Sequence, residues 1–251
     1  MSEATEQATG ASSRFATTLI DLLDRVRYRR VSENEQFDPI YRLRYEAYRR
    51  EDFIPFNSQG VTRDEFDDLP NCYCFGVYID DRLVSSLRFH HVTSQTPHSP
   101  CMSVWPDILR PHLDAGRNFI DPGRFTADFD ASLAFPALPY LTLRLAAMAC
   151  EYFPVVYCMS AVRPEHTAFY RRVFGAKPLG DQRSYANLAF PMQLYAAEVP
   201  VIRDMVARRY PFFMSTPDER EALFGSGQPN VPAIAPTARL AQRLEELEKV
   251  G

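Results

Sequence analysis

Three arginines lie inside apolar or aromatic stretches in the first half of the chain, and they limit the folds that the sequence can adopt. Arg44 stands between leucine and tyrosine, Arg88 stands between leucine and phenylalanine, and Arg124 precedes a phenylalanine. A guanidinium group is seldom buried without a partner, so each arginine needs a carboxylate nearby. The same half of the chain supplies the candidates Asp64, Asp67, Asp68 and Asp121. We therefore expect a network of ion pairs that lines a cleft.

Length and composition indicate one principal domain with additional segments. The chain has 251 residues, of which 46% are hydrophobic, and this is enough for a sizeable core. A formal net charge of -4 argues against a strongly basic nucleic-acid binder. Five cysteines without paired metal-ligand spacing predict reduced thiols, a cytoplasmic location and no metal site. No apolar run of about eighteen residues is present, so we expect no integral membrane segment, and the polar residues 1–13 lack the apolar stretch of a signal peptide.

The pattern of apolar residues and turn formers predicts a mixed α/β sheet. A helix is expected over 39–50, with Asp38 as its N-cap, and an acid-rich loop follows over 51–71. Pro122 and Gly123 inside a predicted strand indicate a bulge. The other expected elements are strands at 28–31, 74–79, 83–92, 118–127, 155–162 and 186–199, an irregular stretch around Trp105, and helices at 138–152 and 164–175.

The two ends of the chain differ in character from the region between them. Residues 1–14 are polar and are predicted to be a disordered tail, and residues 15–199 form the predicted principal domain. Residues 200–251 are predicted to be a helical extension with a Gly/Pro-rich linker at 225–236. The last helix, at 237–250, carries leucines at 240, 244 and 247. Such a helix either packs back on the domain or meets a partner, and we expect it to pack back.

Over residues 28–199 the order of elements resembles the GNAT acyltransferase fold. The ordered arginines and acids further resemble the acyl-homoserine lactone (autoinducer) synthases and the related N-acyl amino acid synthases. The residues that match this pattern are Arg44, Tyr48, Asp64, Asp67, Arg88, Asp121, Arg124 and Phe125. Asp121 stands where glutamate is usual, Gly123 replaces a serine, and the acids of the loop can also be read as Glu65 with Asp68. Residues 166–180 resemble the N-acyl amino acid synthases more than the autoinducer synthases.

The resemblance implies an acyl transfer site with Asp121, Arg88 and Arg124 as catalytic residues. Asp121, directly or through water, would accept the proton of an ammonium group; the alternative is that it only pairs with an arginine. A backbone N–H at 124–126 is the expected oxyanion donor. Each arginine either clamps a substrate carboxylate or holds the acid-rich loop in place. The residues expected to bind substrate are Arg44, Tyr48, Asp64, Asp67, Phe125 and Thr126.

The resemblance also implies a fatty acyl donor carried on the phosphopantetheine of acyl carrier protein, with no permanently bound cofactor. GNAT enzymes that use coenzyme A hold its pyrophosphate with a glycine-rich loop. Residues 124–132 contain no glycine there, and they add Asp128 and Asp130, which would repel the anion. Acyl carrier protein is acidic, so docking requires basic residues. The expected docking residues are Arg27, Arg29, Arg30, Arg171 and Arg172.

A long acyl chain requires an apolar channel, because each buried methylene contributes ~0.8 kcal/mol. An apolar stripe of the 138–152 helix, facing the following strand, either lines this channel or is plain core, and plain core is the default. His166 is similarly a surface residue or a general base, and the surface role is the default. The residues of the stripe and its strand are Phe135, Leu138, Leu141, Leu145, Met148, Val155, Tyr157 and Met159.

These observations predict an N-acyltransferase that moves a long-chain fatty acyl group from acyl carrier protein to the amine of an amino acid. The expected product is an N-acyl amino acid. Three alternatives stay open on the sequence alone: an acyl-homoserine lactone synthase that uses S-adenosylmethionine, a coenzyme A-dependent GNAT N-acetyltransferase, and a non-catalytic module that binds an acyl ligand.

Overall fold

A seven-stranded sheet forms the centre of the computed structural model, which describes residues 14–31, 39–185, 190–225 and 232–248. The strand order is β1-β2-β3-β4-β5-β7-β6, and every neighbouring pair is antiparallel except β4 and β5. The strands are β1 (Val26–Arg30), β2 (Cys72–Ile79), β3 (Arg82–Val92), β4 (Phe119–Ala127), β5 (Tyr157–Val162), β6 (Lys177–Ser184) and β7 (Pro191–Glu198).

Helices cover both faces of this sheet. No helix in the described ranges is long and apolar enough to cross a membrane. The α-helices are α1 (14–23), α2 (Pro39–Arg50), α3 (Pro100–Val104), α4 (Pro106–Asp114), α5 (Phe129–Ala134), α6 (Leu138–Tyr152), α7 (Thr167–Phe174), α8 (Val199–Arg209), α9 (Pro217–Phe224) and α10 (Ala238–Glu248), with 3-10 turns at Glu65–Asp68, Pro164–His166 and Pro211–Phe213.

The predicted mixed α/β architecture is confirmed. The predicted bounds of α2 and α6 match the structure, and the proposed N-cap Asp38 lies outside the described residues. The predicted hairpin is formed by β2 and β3, with Asp80 and Asp81 at φ +49° and +62°. Two left-handed residues are what a tight hairpin turn requires, and aspartate tolerates this conformation better than most residues do.

Two expectations about the elements after β3 were wrong. The stretch around Trp105 is not irregular, because Ser99 caps α3 and Pro106 begins α4; the Trp105 indole is buried and donates a hydrogen bond to the carbonyl of Asp181 at 3.0 Å. Residues 177–184 form an edge strand, β6, that the sequence reading missed because it is polar and contains Pro178 and Gly180. Of the predicted strand at 186–199, residues 186–189 lie outside the described ranges, and β7 begins at Pro191.

Successive side chains of each strand point to opposite faces of the sheet, and each face carries its own layer of packed side chains. On one face, Phe75, Leu87 and Ile120 pack in the main core, which includes residues of α1, α6, α8 and α9. On the opposite face, α3 and α4 form a smaller core with Phe119. Arg88 lies next to Leu87 and therefore points to this second face, where α2 also packs. This face holds the charged side chains described below.

The C-terminal helix packs through its small residues and not through its leucines. Ala238 and Ala241 are buried in α10. The leucines of the predicted apolar face remain exposed by 51% at Leu240, 45% at Leu244 and 70% at Leu247. The helix therefore packs back on the domain, but the leucine face of the amphipathic pattern is not the face that it buries. The predicted tail at 1–14 lies outside the described residues except for Arg14, which is helical, and the division into a domain and an extension stays a prediction.

A buried ion pair joins α6 to α9. The guanidinium of Arg144 donates to both carboxylate oxygens of Glu219, at 2.5 and 2.9 Å, and also to the carbonyls of Phe212 and Met214. The same carboxylate accepts the backbone N–H of Thr237 at 2.9 Å. Both charged side chains are fully buried, so each depends on the other for compensation of its charge.

We predict that Glu219→Gln lowers the free energy of unfolding by about 3–5 kcal/mol, because it leaves the Arg144 charge buried without a counter-charge. Urea unfolding followed by circular dichroism measures this loss. Glu221→Gln on the same helix is the control: its carboxylate is exposed and meets only the Tyr152 hydroxyl, at 3.0 Å. Equal losses in the two variants would contradict the stabilising role of the pair.

Candidate active site

The sheet opens between β4 and β5. Their parallel pairing covers only Phe119 with Tyr157 and Ile120 with Cys158, after which the two strands lose contact. On its other side β4 pairs with β3, but Arg124 and Phe125 together stand opposite the single residue Leu87. This is the bulge that the sequence predicted, and Arg124 adopts the left-handed φ of +51° within it. The bulge directs the Arg124 side chain toward the acid-rich loop.

The predicted network of ion pairs is present. Arg44 donates to Asp67 at 2.8 Å, and Arg88 bridges Asp67, at 3.0 Å, and Asp64. Arg124 donates to the other oxygen of Asp64 through Nε, at 3.1 Å, and through its terminal nitrogen. The chain of contacts therefore runs from α2 through the loop to β3 and β4. It contains three guanidinium groups and two carboxylates, so it carries one excess positive charge.

Local structure in the loop presents both carboxylates together. Asp64 and Asp67 form a capping box around the 3-10 turn: the Asp64 side chain accepts from the N–H of Phe66, and Asp67 accepts from the N–H of Asp64 at 3.0 Å. His90 ties this turn to β3 through a 2.8 Å hydrogen bond to the Phe66 carbonyl. Burial, and next the Arg88 charge, lower the pKa of His90 to about 4. The neutral imidazole therefore donates this bond at neutral pH.

The arginines hold the two aspartates in the ionised state. Burial opposes the ionisation of Asp64, but Arg88 and Arg124 outweigh it and keep the pKa of this carboxyl well below its usual range. Burial and then Arg44 and Arg88 act on Asp67 in the same way, and its pKa is also lowered. A carboxylate held in this state is a weak proton acceptor. Asp64 and Asp67 therefore fix the arginines in position and are poor candidates for a general base.

A cavity of about 520 Å³ occupies the opening in the sheet. The predicted residues that line it are Tyr48, Asp64, Arg88, Arg124 and Phe125. A second cavity, of about 280 Å³, shares the lining residues Pro122, Leu143, Ser160 and Tyr170 with the first and extends between α6, β5 and α8. The two cavities therefore adjoin. The ion-pair network lines the larger cavity, and apolar side chains of α6 and α8 form much of the lining of the smaller one.

Four predicted site residues lie outside the cavity lining. Arg44 and Asp67 stand behind Arg88, and the Thr126 hydroxyl is bonded to Ser86 at 2.7 Å. Asp121 is buried on the α3 side of β4, where one carboxylate oxygen accepts the N–H of Cys101 at 2.9 Å and the other has no hydrogen-bond partner among the described residues. The catalytic and substrate-binding roles expected for these residues stay predictions.

The apolar stripe expected to line an acyl channel belongs to the core. Leu138, Leu141, Leu145 and Met148 are fully buried among core side chains. A different face of α6 lines the cavities, formed by Pro139, Leu143, Ala146, Ala147 and Cys150. Because α6 is apolar on nearly every side, its sequence pattern does not distinguish the core face from the channel face.

The five arginines expected to dock a carrier protein do not form one patch. Arg27, Arg29 and Arg30 lie on β1, the edge strand four positions from β5 in the sheet, which corresponds to about 19 Å at the usual strand spacing. Arg171 and Arg172 are exposed on α7, directly after the cavity residues Phe169 and Tyr170.

The sequence reading missed a cation at the mouth of the cavity. Arg163 follows the last residue of β5 and lines the cavity together with Phe53, His166 and Phe190. Its guanidinium lies over both phenylalanine rings, 5.3 Å from the centroid of Phe53 and 4.9 Å from that of Phe190. The only sequence signal is the position of Arg163 at the end of a buried strand.

The loop after β4 is where the sequence was compared with the pyrophosphate-binding loop of GNAT enzymes. In this loop Asp128 lies at the N-terminus of α5. Asp128 caps α5 by accepting the N–H of Ala131 at 2.9 Å, and it also pairs with Arg82 at 2.8 Å. A helix N-terminus binds an anion through its free N–H groups. Here a carboxylate already occupies one of them, as the sequence of this loop led us to expect.

Comparison with known proteins agrees with this geometry. The family model of the N-acyl amino acid synthase FeeM matches residues 39–198. The chain belongs to the FeeM family of N-acyl amino acid synthases. It is therefore an acyltransferase, and the predicted GNAT-like fold and the relation to acyl-homoserine lactone synthases are confirmed. No curated protein matches its sequence.

Solved structures share this fold at low sequence identity. FeeM from uncultured soil microbes is 20% identical with a TM-score of 0.58, over 76% of this chain and 99% of its own. MesI, a CoA-dependent acyl-homoserine lactone synthase, is 15% identical with a TM-score of 0.52, over 73% and 95%. The acyl-homoserine lactone synthase LasI is 14% identical with a TM-score of 0.50, over 68% and 88%.

We predict that Asp64→Asn lowers the free energy of unfolding at pH 7 by about 3 kcal/mol, since it leaves Arg88 and Arg124 without their shared partner. The pKa of Asp64 is lowered on folding, so its pairing stabilises the protein above the pKa of an unfolded aspartate, about 4, and this contribution fades as the pH falls below that value. Urea unfolding at pH 7 and at pH 3 measures the difference in the free energy of unfolding between the variant and the wild type. This difference should be smaller at pH 3.

Asp68→Asn is the matched control for this prediction. Asp68 lies in the same 3-10 turn, but its side chain is 66% exposed and pairs only with Arg63. This variant should change stability by less than about 1 kcal/mol. If the loss in free energy of unfolding caused by Asp64→Asn were the same at pH 7 and pH 3, the ion-pair account would be contradicted.

Proposed function

We propose that this enzyme transfers a long-chain fatty acyl group from acyl carrier protein to the α-amine of an amino acid, which gives an N-acyl amino acid. The observation that carries the proposal is the pair of adjoining cavities at the opening between β4 and β5. The larger cavity, which the ion-pair network lines, suits an amino acid and the reacting thioester, and the apolar wall that α6 gives the smaller cavity suits a hydrocarbon chain. Membership of the FeeM family supports the same reaction class.

The reaction forms a C–N bond and breaks a C–S bond. The deprotonated amine attacks the thioester carbonyl, the carbonyl oxygen becomes an oxyanion, and the thiolate leaves and takes up a proton. The bulge at Arg124 and Phe125 offers backbone N–H groups as oxyanion donors, and the net positive network beside it favours the developing negative charge. The ion pairs hold the Arg124 side chain in place without a substrate, so we expect little reorganisation of it during the reaction.

Asp121 is our candidate for the group that accepts the ammonium proton. Its carboxylate lies on β4 one residue before the cavity residue Pro122, and its second oxygen accepts no hydrogen bond within the described ranges. Because Asp121 itself does not line the cavity, this role requires an intervening water. Arg44 and Asp67 act behind the cavity by holding Arg88, and Tyr48 supports Arg124 from 5.5 Å away.

The N-terminus of α5 supports acyl carrier protein, and not coenzyme A, as the acyl donor. Asp128 occupies the N-terminus of α5, where a coenzyme A pyrophosphate would need free N–H groups. A carrier protein brings only its phosphopantetheine arm into the site and makes its other contacts on the surface. Arg171 and Arg172, which are exposed beside the cavity residues of α7, are the docking residues that this geometry favours.

The test is turnover by the purified protein with long-chain acyl carrier protein thioesters and a mixture of amino acids. Mass spectrometry should identify an N-acyl amino acid, and free carrier thiol should appear in equal amount. A base-labile lactone made from S-adenosylmethionine would instead identify an acyl-homoserine lactone synthase. Turnover with acyl-CoA alone would overturn the proposed donor, and a stable complex without thiol release would identify a binding module.

We predict that Ala147→Phe shifts the preferred donor toward shorter acyl chains, because the ring fills the apolar cavity beside α6. Each excluded methylene forfeits ~0.8 kcal/mol, so losing two lowers kcat/KM for the longest donors by roughly tenfold. Competition between donors of different length, read by mass spectrometry, measures the shift. Val201→Phe is the control, because Val201 on the neighbouring helix α8 is 67% exposed. An equal loss at every chain length would contradict the channel assignment.

A further inference from the structure

We propose that Arg163 binds the carboxylate of the acceptor amino acid. This inference rests on the proposed function and adds to it the residue that recognises an amino acid as distinct from a simple amine. An acceptor amino acid carries a carboxylate next to the amine that reacts. A guanidinium group at the cavity mouth, able to accept a new carboxylate partner, is the complementary feature.

The other arginines of the site are already committed to the protein. Arg44 and Arg88 are buried and bonded to Asp67 and Asp64, and Arg124 is held by Asp64. A substrate that displaced one of these aspartates would leave a buried carboxylate without its counter-charge, which is strongly unfavourable. These arginines therefore shape the site and stabilise charge in it, but they do not exchange their partners.

Arg163 differs from them in its exposure and in the way it is held. Its side chain is 33% exposed, and its partner is Glu165, whose side chain is 49% exposed. A pair between such accessible groups contributes little, because water competes for both charges. When Glu165 turns away it remains hydrated, so a substrate carboxylate can replace it at Arg163 without leaving a buried charge.

The rings of Phe53 and Phe190 place the guanidinium before the substrate arrives. The guanidinium lies over both rings at centroid distances of 5.3 and 4.9 Å, and the two ring centroids are 4.6 Å apart in an edge-to-face arrangement. A guanidinium that is already ordered loses less freedom when it binds a carboxylate. Arg163 stands on the β5 side of the opening and Arg124 on the β4 side. An acceptor bound to Arg163 therefore lies across the cavity from the bulge.

The test compares an amino acid with the amine that lacks its carboxylate, using the acceptor identified in the turnover assay. We expect Arg163→Gln to raise KM for the amino acid by about tenfold or more, the loss typical of a charge-assisted hydrogen-bond pair. KM for the decarboxylated amine and for the acyl donor should stay the same. Arg163→Lys keeps the charge but loses the planar pair of N–H donors. Its KM for the amino acid should lie between that of Arg163→Gln and that of the wild type.

Glu165→Gln provides a control of opposite sign. It removes the carboxylate that competes for Arg163, so KM for the amino acid should fall. Equal effects of Arg163→Gln on the amino acid and on the amine, or an effect on the donor alone, would overturn the role of Arg163 and leave the proposed function intact. A wild-type protein that acylates amines but no amino acid would overturn both. If Arg163→Gln fails to fold, Arg163→Lys provides the test: its KM should rise for the amino acid and not for the decarboxylated amine.

Discussion

The ion pairs that join Arg44, Asp67, Arg88, Asp64 and Arg124 are the interaction on which the site depends. They connect helix α2, the acid-rich loop and two strands, which are otherwise separate along the chain. A displaced member would leave a largely buried charge with fewer partners, so each ion pair in the network favours the others. Its consequence is geometric: the loop is held over the opening in the sheet, and one excess positive charge stands beside the cavity.

The bulge in β4 and the short contact between β4 and β5 turn this network into a site. Without the extra residue, Arg124 would alternate regularly with its neighbours and would not reach Asp64. Without the loss of pairing after Ile120, the space behind Pro122 would be filled by ladder hydrogen bonds. The charged cavity and the more apolar cavity therefore both adjoin the place where β4 bulges against β3 and separates from β5. The reaction that we propose uses both, because its product would join a polar head to a hydrocarbon chain.

The sequence was informative where a residue type can be accommodated in a folded protein in only a few ways. Buried arginines need carboxylates, so the contacts of Arg88 could be predicted before the structure was known, and Pro122 with Gly123 indicated the bulge. The channel face of α6 could not be predicted, since the helix is apolar on almost every side. Strand β6 was missed because edge strands tolerate polar residues, and Arg163 was missed because its role arises only from the rings of Phe53 and Phe190.

The most direct test of this account is a crystal structure of the protein with an N-acyl amino acid product bound. We expect the amide in the opening between β4 and β5, beside the bulge at Arg124. The acyl chain should lie between α6 and β5, in contact with Leu143 and Ala147, while the ion pairs of Asp64 remain intact. A product bound outside this opening, or one that enters it by breaking the contacts of Asp64 with Arg88 and Arg124, would contradict the account.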